Sequence, residues 1–426
     1  MNRLYKLTFY FIFTIVLTVG VLFLIYLYNP DVISKSIISN TISHDQKIKM
    51  RKYFIEKNLK KHLNTYSTNQ FLNLRLQKIA LGFDYSKEKN LNHIVYNNYA
   101  HIDVWKNKLL LSNYEGSFFY FDLKNINSKS KKKSIKTNLK DLAVGPYHGV
   151  KDILINEDDL YISIVKEIEE GCLGIVIKKA KLNIAEIKFK DFFYPTECVN
   201  KSETLRGILH PGQAGGRLEI RNNKILLSTG NFRAERVPQD DGSIYGKIIE
   251  IGIDNKILNI ISKGHRNPQG LLVDSGNIIS TEHGPFGGDE INLIVQDGNY
   301  GFPIASYGEK YSYKKNQEKF HFDKSHKGFN EPIFAFVPSI GISQIIRIPD
   351  SFNSKWQNNF LLTSLAGNSI YRIKFTNDFS KVLFYETIYF GERIWDIIYD
   401  KNNKQILMIF EETGSLAILS NKWVLN

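Results

Sequence analysis

From about Asn90 to the end, the chain is a succession of short apolar runs, each cut off by turn residues before it could complete a helix. HIDVWKNKLLLSNYE, DILINEDDLYISIV, RLEIRNNKILLSTG, GLLVDSGNIISTE and RIWDIIYDKNNKQILMIFE all follow this pattern. Two strand-like runs flank a short polar corner in each, and helical periodicity is nearly absent. Such a texture predicts an all-β domain of many antiparallel strands. About 335 residues is too much for one sandwich, whereas a six-bladed β-propeller at roughly 50 to 55 residues per blade accommodates it.

The N-terminal segment is different in kind. Leu7 to Tyr28 carries no charge, and a helix of that length would rise roughly 33 Å, about the thickness of a bilayer core. Arg3 and Lys6 precede it and mark the cytoplasmic end. The expectation is an N-terminal transmembrane helix in the cell inner membrane, single-pass, with the remainder on the periplasmic or extracytoplasmic side. A cleaved signal peptide is the rival reading, but no small-residue cleavage site follows the apolar stretch. Residues 31–89 read as a polar stalk with helical pieces, since DQKIKMRKYFIEKNLKKHLN and NQFLNLRLQKIAL place apolar residues three and four apart. The expected organisation is therefore 1–30 cytoplasmic N-terminus and anchor, 31–89 stalk, and 90–426 propeller.

Two cysteines, Cys172 and Cys198, suit an exported domain in which an even number can pair, with two buried free thiols as the alternative. The formal net charge of +13 sits largely in solvated tracts such as KSKKKSIK. No basic face interleaved with aromatic residues accompanies them, so a nucleic-acid partner is not expected and a loop near an anionic membrane surface is.

The stretch richest in chemistry is GHRNPQGLLVDSGNIISTEHGPFGGDEINLIVQDGNYGFP, Gly264 to Pro303. GHRNPQG, EHGP, GGDEIN and GNYGFP stand in an order and spacing that closely resemble the glucose/sorbosone dehydrogenase family. These are soluble sugar dehydrogenases that use pyrroloquinoline quinone (PQQ) on a six-bladed propeller. GGRL at Gly215, YGKIIEI at Tyr245, PSIGIS at Pro338 and ERIWD at Glu392 extend the resemblance over most of the chain beyond the stalk.

The resemblance implies oxidation of a sugar hydroxyl with PQQ and calcium, and electrons passed to a further acceptor. By that analogy the backbone carbonyls of Gly284 and Pro285 ligate calcium, a Lewis acid for the quinone oxygen. Asp289 and Glu290 serve a separate structural calcium site or, alternatively, brace a turn. Arg266 and Asn267 face the quinone, with Arg266 stabilising the oxyanion that forms, and Arg393 adds a cofactor contact.

Departures from the family pattern are as informative. The general-base His, four residues before the Arg of GGR, is here Gln213, an amide that cannot accept a proton. His210 in HPGQAGGRL is the obvious stand-in catalytic base, with His148, His265 and His283 also in or near the matched motifs. A Lys of the family is Ala366, the second Arg of its R-x-R-D motif is Trp395, and a Gln near the start is Tyr147. Two readings follow: an active sugar dehydrogenase, or a catalytically degenerate propeller that binds a glycan, an envelope component or a protein partner through the old cleft. A third is different chemistry in the same cleft, with the histidines repurposed.

Overall fold

Runs such as QILMIF and FLLTS are apolar on both faces, and a strand of that kind is stable only when sheet covers it on both sides. A computed structural model of the protein describes residues 66–67, 74–82, 99–140, 142, 149–204, 207–309 and 323–421. In it Gln405–Phe410 and Phe360–Ser364 are buried along their whole length. The described strands form six sheets of four or five strands, mostly antiparallel. They are the six blades of a β-propeller.

Each blade begins at the axis with one strand: Ala100–Trp105, Gly149–Asn156, Gly215–Arg221, Pro268–Asp274, Ile342–Arg347 and Ile394–Asp400, here blades 1 to 6 in chain order. Each inner strand packs against the next, and Ile394–Asp400 packs back on Ala100–Trp105, so the ring is closed. The apolar core lies between neighbouring blades. Tyr161, Ile175 and Ile177 of blade 2, for example, pack with Leu218, Ile225 and Leu227 of blade 3.

Closure of the ring corrects the expectation of a helical NQFLNLRLQKIAL. Leu74–Ala80 is a strand, with Leu74 and Leu76 buried and Arg75 and Gln77 half-buried between and beside them. It pairs with the C-terminal strand Ser415–Asn421 over seven residue pairs, Leu74 opposite Asn421 and Ala80 opposite Ser415. Blade 6 is thus built from both ends of the described chain, and the propeller begins before residue 90. Lys78 fastens the seam, since its buried ammonium bonds Glu392 and stands 4.6 Å from the centre of the Phe410 ring. The proposed anchor, the stalk apart from residues 66–67 and 74–82, Tyr147 and His148 lie outside the described residues. Among the described residues, no helix is long and apolar enough to cross a membrane.

Register breaks mark the start of five inner strands: between Val150 and Asp152, Gly215 and Leu218, Pro268 and Gly270, Ile342 and Ile345, and Ile394 and Asp396. A bulge leaves a residue outside the ladder and bends the strand. Lys151, Arg217, Gln269, Ser343 and Trp395 all fall within these breaks, at the same level of the axis.

Cys172 and Cys198 are joined in a disulfide with a Cα–Cα separation of 5.5 Å. It ties the third strand of blade 2, Cys172–Lys181, to the short edge strand Val199–Asn200 beside it. The bridge closes a 26-residue span, a loop length for which chain entropy gives about 3 to 4 kcal/mol. Replacing both cysteines with serine should lower the melting temperature by about 5 °C, measured by calorimetry under non-reducing conditions; an unchanged value would show that the span is ordered without the bridge.

Candidate functional site

Arg217 sits at the centre of the ring and is 2% exposed. Its Nη1 donates to Asp152 Oδ1 at 3.1 Å and Asp396 Oδ1 at 3.0 Å, its Nη2 to the Trp395 carbonyl at 3.2 Å, and its Nε to the Gln269 carbonyl at 2.7 Å. The second oxygens of the two carboxylates accept backbone N–H groups, Leu218 to Asp152 at 2.8 Å and Ile102 to Asp396 at 3.0 Å. One side chain therefore links blades 1, 2, 3, 4 and 6. Ligand atoms of His101, Asp152 and Asp396 lie within 4.8 Å of one another, a grouping able to hold a metal ion, but the guanidinium already supplies the positive charge there. Burial pushes the Asp152 carboxyl up to about 7 against the pull of Arg217. Burial, then Arg217 and Lys151, hold His101 well below the usual imidazole range.

Above this knot, GHRNPQG and EHGP are bound to each other through one carboxylate. Glu282 accepts the backbone N–H of Arg266 and that of Asn267, the latter at 3.2 Å, on one oxygen, and its other oxygen lies 2.9 Å from His265 Nδ1. His265 Nε2 is 2.8 Å from Ser262 Oγ and its ring stacks on Tyr300 at 4.7 Å. His265 is therefore a bracing residue. In return the His283 N–H donates to the Asn267 carbonyl at 3.1 Å. The Asn267 amide joins loops: its Oδ1 accepts from Gly215 N at 3.1 Å and Gln269 Nε2 at 2.8 Å, and its Nδ2 donates to the Gly212 carbonyl at 3.2 Å.

So held, Arg266 lays its Nη1 on the carbonyls of His283 at 3.0 Å and Gly284 at 2.7 Å. Gly284 is the carbonyl that the family resemblance assigns to calcium. Pro285 follows it, and both line a small pocket with Arg266, His283, Phe302 and Ser306. Asp289 braces the loop with a full set of donors: Gly284 N at 3.1 Å, Ser339 Oγ at 2.9 Å, and the N–H groups of Ile340 and Ile342 at 3.0 Å. Glu290 faces His326 at 3.6 Å and is pushed upward by burial.

Positive charge gathers around these loops. His210, whose N–H donates to the Phe232 carbonyl at 3.0 Å, is brought down to about 3 by burial and then by Arg233, Lys151 and Arg266. His283 is lowered by burial, against the opposing pull of Asp289, and further by Arg266 and Arg393. The candidates His210, Arg266, Asn267, Gly284, Pro285 and Arg393 are thus assembled at one end of the axis. Arg393 also bonds Glu411 at 2.6 Å. Lys151 and Arg233 belong to the same group and were not singled out from the sequence. A lysine interrupting the apolar run GVKDILI was the available signal.

The sequence matches the family described as Glucose / Sorbosone dehydrogenase over residues 102–418. The chain belongs to the glucose/sorbosone dehydrogenase family. It is 28% identical over 296 residues to the aldose sugar dehydrogenase YliI of Escherichia coli, spanning 64% of this chain and 77% of that protein. Identity to the quinoprotein glucose dehydrogenase B of Acinetobacter calcoaceticus is 28% over 155 residues, 33% of this chain and 30% of that one. An uncharacterised Synechocystis protein is 29% identical over 205 residues, 42% of this chain and about half (48%) of its own length. In fold, the solved soluble aldose sugar dehydrogenase from E. coli matches with a TM-score of 0.63 at 20% identity, covering 78% of this chain and 99% of that one.

Within this glucose/sorbosone dehydrogenase propeller, Trp395 stacks on Tyr99 at 3.8 Å and points its Nε1 at His101, 3.4 Å away. An apolar plug of two rings thus stands at the position where the family resemblance expects an arginine.

His101, His210 and His283 are held neutral by burial, while the unfolded chain takes up protons near pH 6.5. Their contribution is present above that pH and lost as the pH falls. For His210 the window runs from about 6.5 down to about 3. Replacing His210 with Gln should make the fall in melting temperature between pH 7 and pH 5 smaller than in the unaltered protein; an identical fall would show that His210 is not held neutral.

Proposed function

We propose that this protein is a membrane-anchored sugar dehydrogenase that uses PQQ to oxidise a sugar hydroxyl outside the cytoplasm. The observation that carries the reading is the cationic cleft on the GHRNPQG turn. Arg233, Lys151 and Arg266 act on His210, and Arg266 and Arg393 on His283; Arg393 is paired with Glu411, and the nearby carboxylates of Glu282 and Asp289 are engaged by internal hydrogen bonds. Cationic side chains so placed suit a flat cofactor bearing three carboxylates. Bound there, the quinone would supply a two-electron acceptor. Arg266 would steady its carbonyl edge, with its own position fixed by Glu282. Arg393 would add charge at the rim, and His210 would take the hydroxyl proton.

Calcium fits this donor set less well. The Gly284 carbonyl is shared with the Arg266 guanidinium, Asp289 is saturated, and Glu290 faces His326. No step is assigned to the metal, and a calcium ion on Gly284 and Pro285 would have to displace or adjoin a positive charge. Support for the anchor comes from the uncharged Leu7–Tyr28 segment with Arg3 and Lys6 before it, and a disulfide accords with an oxidising compartment. Partners implied by the reading are a sugar, the membrane and a further electron acceptor.

Gln213, Ala366 and the Trp395 plug favour a second reading, a propeller that keeps the cleft and binds a glycan, an envelope component or a protein without turning it over.

PQQ titrated into the detergent-solubilised full chain, followed by quinone absorbance with and without EDTA, should show binding. Arg266→Ala should weaken it by about 10- to 100-fold, the loss of one charge-assisted hydrogen bond. Absence of binding at high micromolar PQQ in either condition would remove the dehydrogenase reading and leave the binding propeller. The anchor predicts in addition that the chain stays with the membrane fraction through an alkaline carbonate wash.

A further inference from the structure

Where blade 6 meets blade 1, Leu407 and Ile418 of the one pack with Leu109 and Leu123 of the other. Two residues further along the same strands the character of the sheet changes. Gln405 stands opposite Ser420 and Ser420 opposite Arg75, so three adjacent strands present a polar row on the face that was apolar one step before. At this row the interface opens into a cavity of about 550 Å³, within the roughly 300 to 1,000 Å³ of small-molecule sites. The inner strand Ile394–Asp400 starts at the cleft and ends here, so the cavity lies at the opposite end of the axis from the GHRNPQG turn.

Three cations from three separate elements line it: Arg75 of the strand Leu74–Ala80, Lys124 of the helical turn Leu123–Asn125, and Lys404 of the turn before Gln405–Phe410. Among the described residues no carboxylate lines it. The two acids closest in sequence are engaged elsewhere. Asp400 is fully buried and accepts the N–H groups of Asn402 and Asn403 at 3.1 and 3.3 Å and the side-chain amides of Asn403 and Gln405 at 2.7 and 3.0 Å. Asp122 accepts the Lys124 N–H at 3.2 Å and faces the Lys108 ammonium at 3.6 Å. The same bonds fix the two turns from which Lys404 and Lys124 project. Leu123, Ile126 and Ile418 give the cavity an apolar part, and Gln77, Gln405 and Ser420 give it amide and hydroxyl groups.

We propose that this cavity binds a phosphorylated sugar or polyol, its phosphate held by Arg75, Lys124 and Lys404 and its hydroxyls by the row of Gln77, Gln405 and Ser420. A phosphate monoester carries about two negative charges at neutral pH, which three cations without a competing carboxylate match. Arginine meets such a group with parallel N–H donors and lysine adds point charge. A sugar ring has an apolar face for the leucine and isoleucines and hydroxyls for the amides. Two sources present this chemistry, a soluble sugar phosphate and the phosphorylated headgroup of an envelope lipid. The site stands apart from the cleft and does not depend on what the cleft binds.

Glucose 6-phosphate titrated by calorimetry into the full chain in nonionic detergent should bind saturably, and glucose should not. Reversing the two exposed lysines together, Lys124→Glu with Lys404→Glu, should weaken binding by about tenfold or more, and Arg75→Gln by about tenfold. Melting temperatures show that the variants are folded, and the lysine pair lies outside the packed blades if Arg75→Gln fails to fold. Arg266→Ala, at the far end of the axis, should leave the affinity unchanged. Micelles doped with phosphatidylglycerol identify the source: sugar phosphate displaced by the lipid assigns the site to a headgroup, and undiminished binding assigns it to a soluble ligand. No binding of glucose 6-phosphate in undoped detergent overturns the proposal, as does binding that survives the lysine reversals or glucose binding as tightly as its phosphate. Binding lost in Arg266→Ala but kept in the lysine variant would place the phosphate in the cleft and overturn it equally.

Discussion

Arg217 is the fastening on which the ring depends. Six inner strands converge on an axis where backbone ends, carboxylates and an imidazole would otherwise face one another across a gap, and one guanidinium spans that gap with four directed hydrogen bonds to three other blades. Asp152 and Asp396 hand the connection on to the backbone of blades 3 and 1. A buried charge so placed is costly to assemble and far more costly to break, because removal of one partner strands the others in a dry interior.

The cleft is supported in a second way, by Glu282. The motif EHGP lies at the end of the second strand of blade 4 and GHRNPQG at the entry to its first, so the two are sequence neighbours across a hairpin and spatial neighbours at its open end. A single carboxylate then fixes two successive backbone N–H groups and the imidazole of His265. Placement of Arg266 on two carbonyls follows from that anchorage rather than from its own flexible stem. Asn267 extends the rigid region to the loop before blade 3.

Much of this was legible in the residues. Alternating short runs and their turn signals specify sheet, and the length specifies enough sheet for six blades. GHRNPQG and EHGP are recognisable because their parts are local to one hairpin. What stayed hidden depends on partners remote in sequence. LRLQKIA carries apolar residues that satisfy either a helix or a strand, and only Ser415–Asn421 decides between them. Asp289 could be a metal ligand by type, until Ser339, Ile340 and Ile342, some fifty residues away, supply its donors. Trp395 reads as a lost cation, and the stacking on Tyr99 that gives it a role is invisible without the ring.

The seam in blade 6 imposes an order of assembly. Lys78 and Glu392 are 314 residues apart, so a chain emerging from its N-terminus must keep Leu74–Ala80 waiting until the last strand arrives. Five blades can condense from contacts within themselves and with the blade made just before, but the circle cannot shut without the final segment, and such remote pairing is slow to form. Until blade 6 begins the axial knot lacks Asp396, and until its last strand arrives Leu74–Ala80 lacks the strand it pairs with. Synthesis to the last strand is therefore built into the architecture as the condition for having a cleft at all.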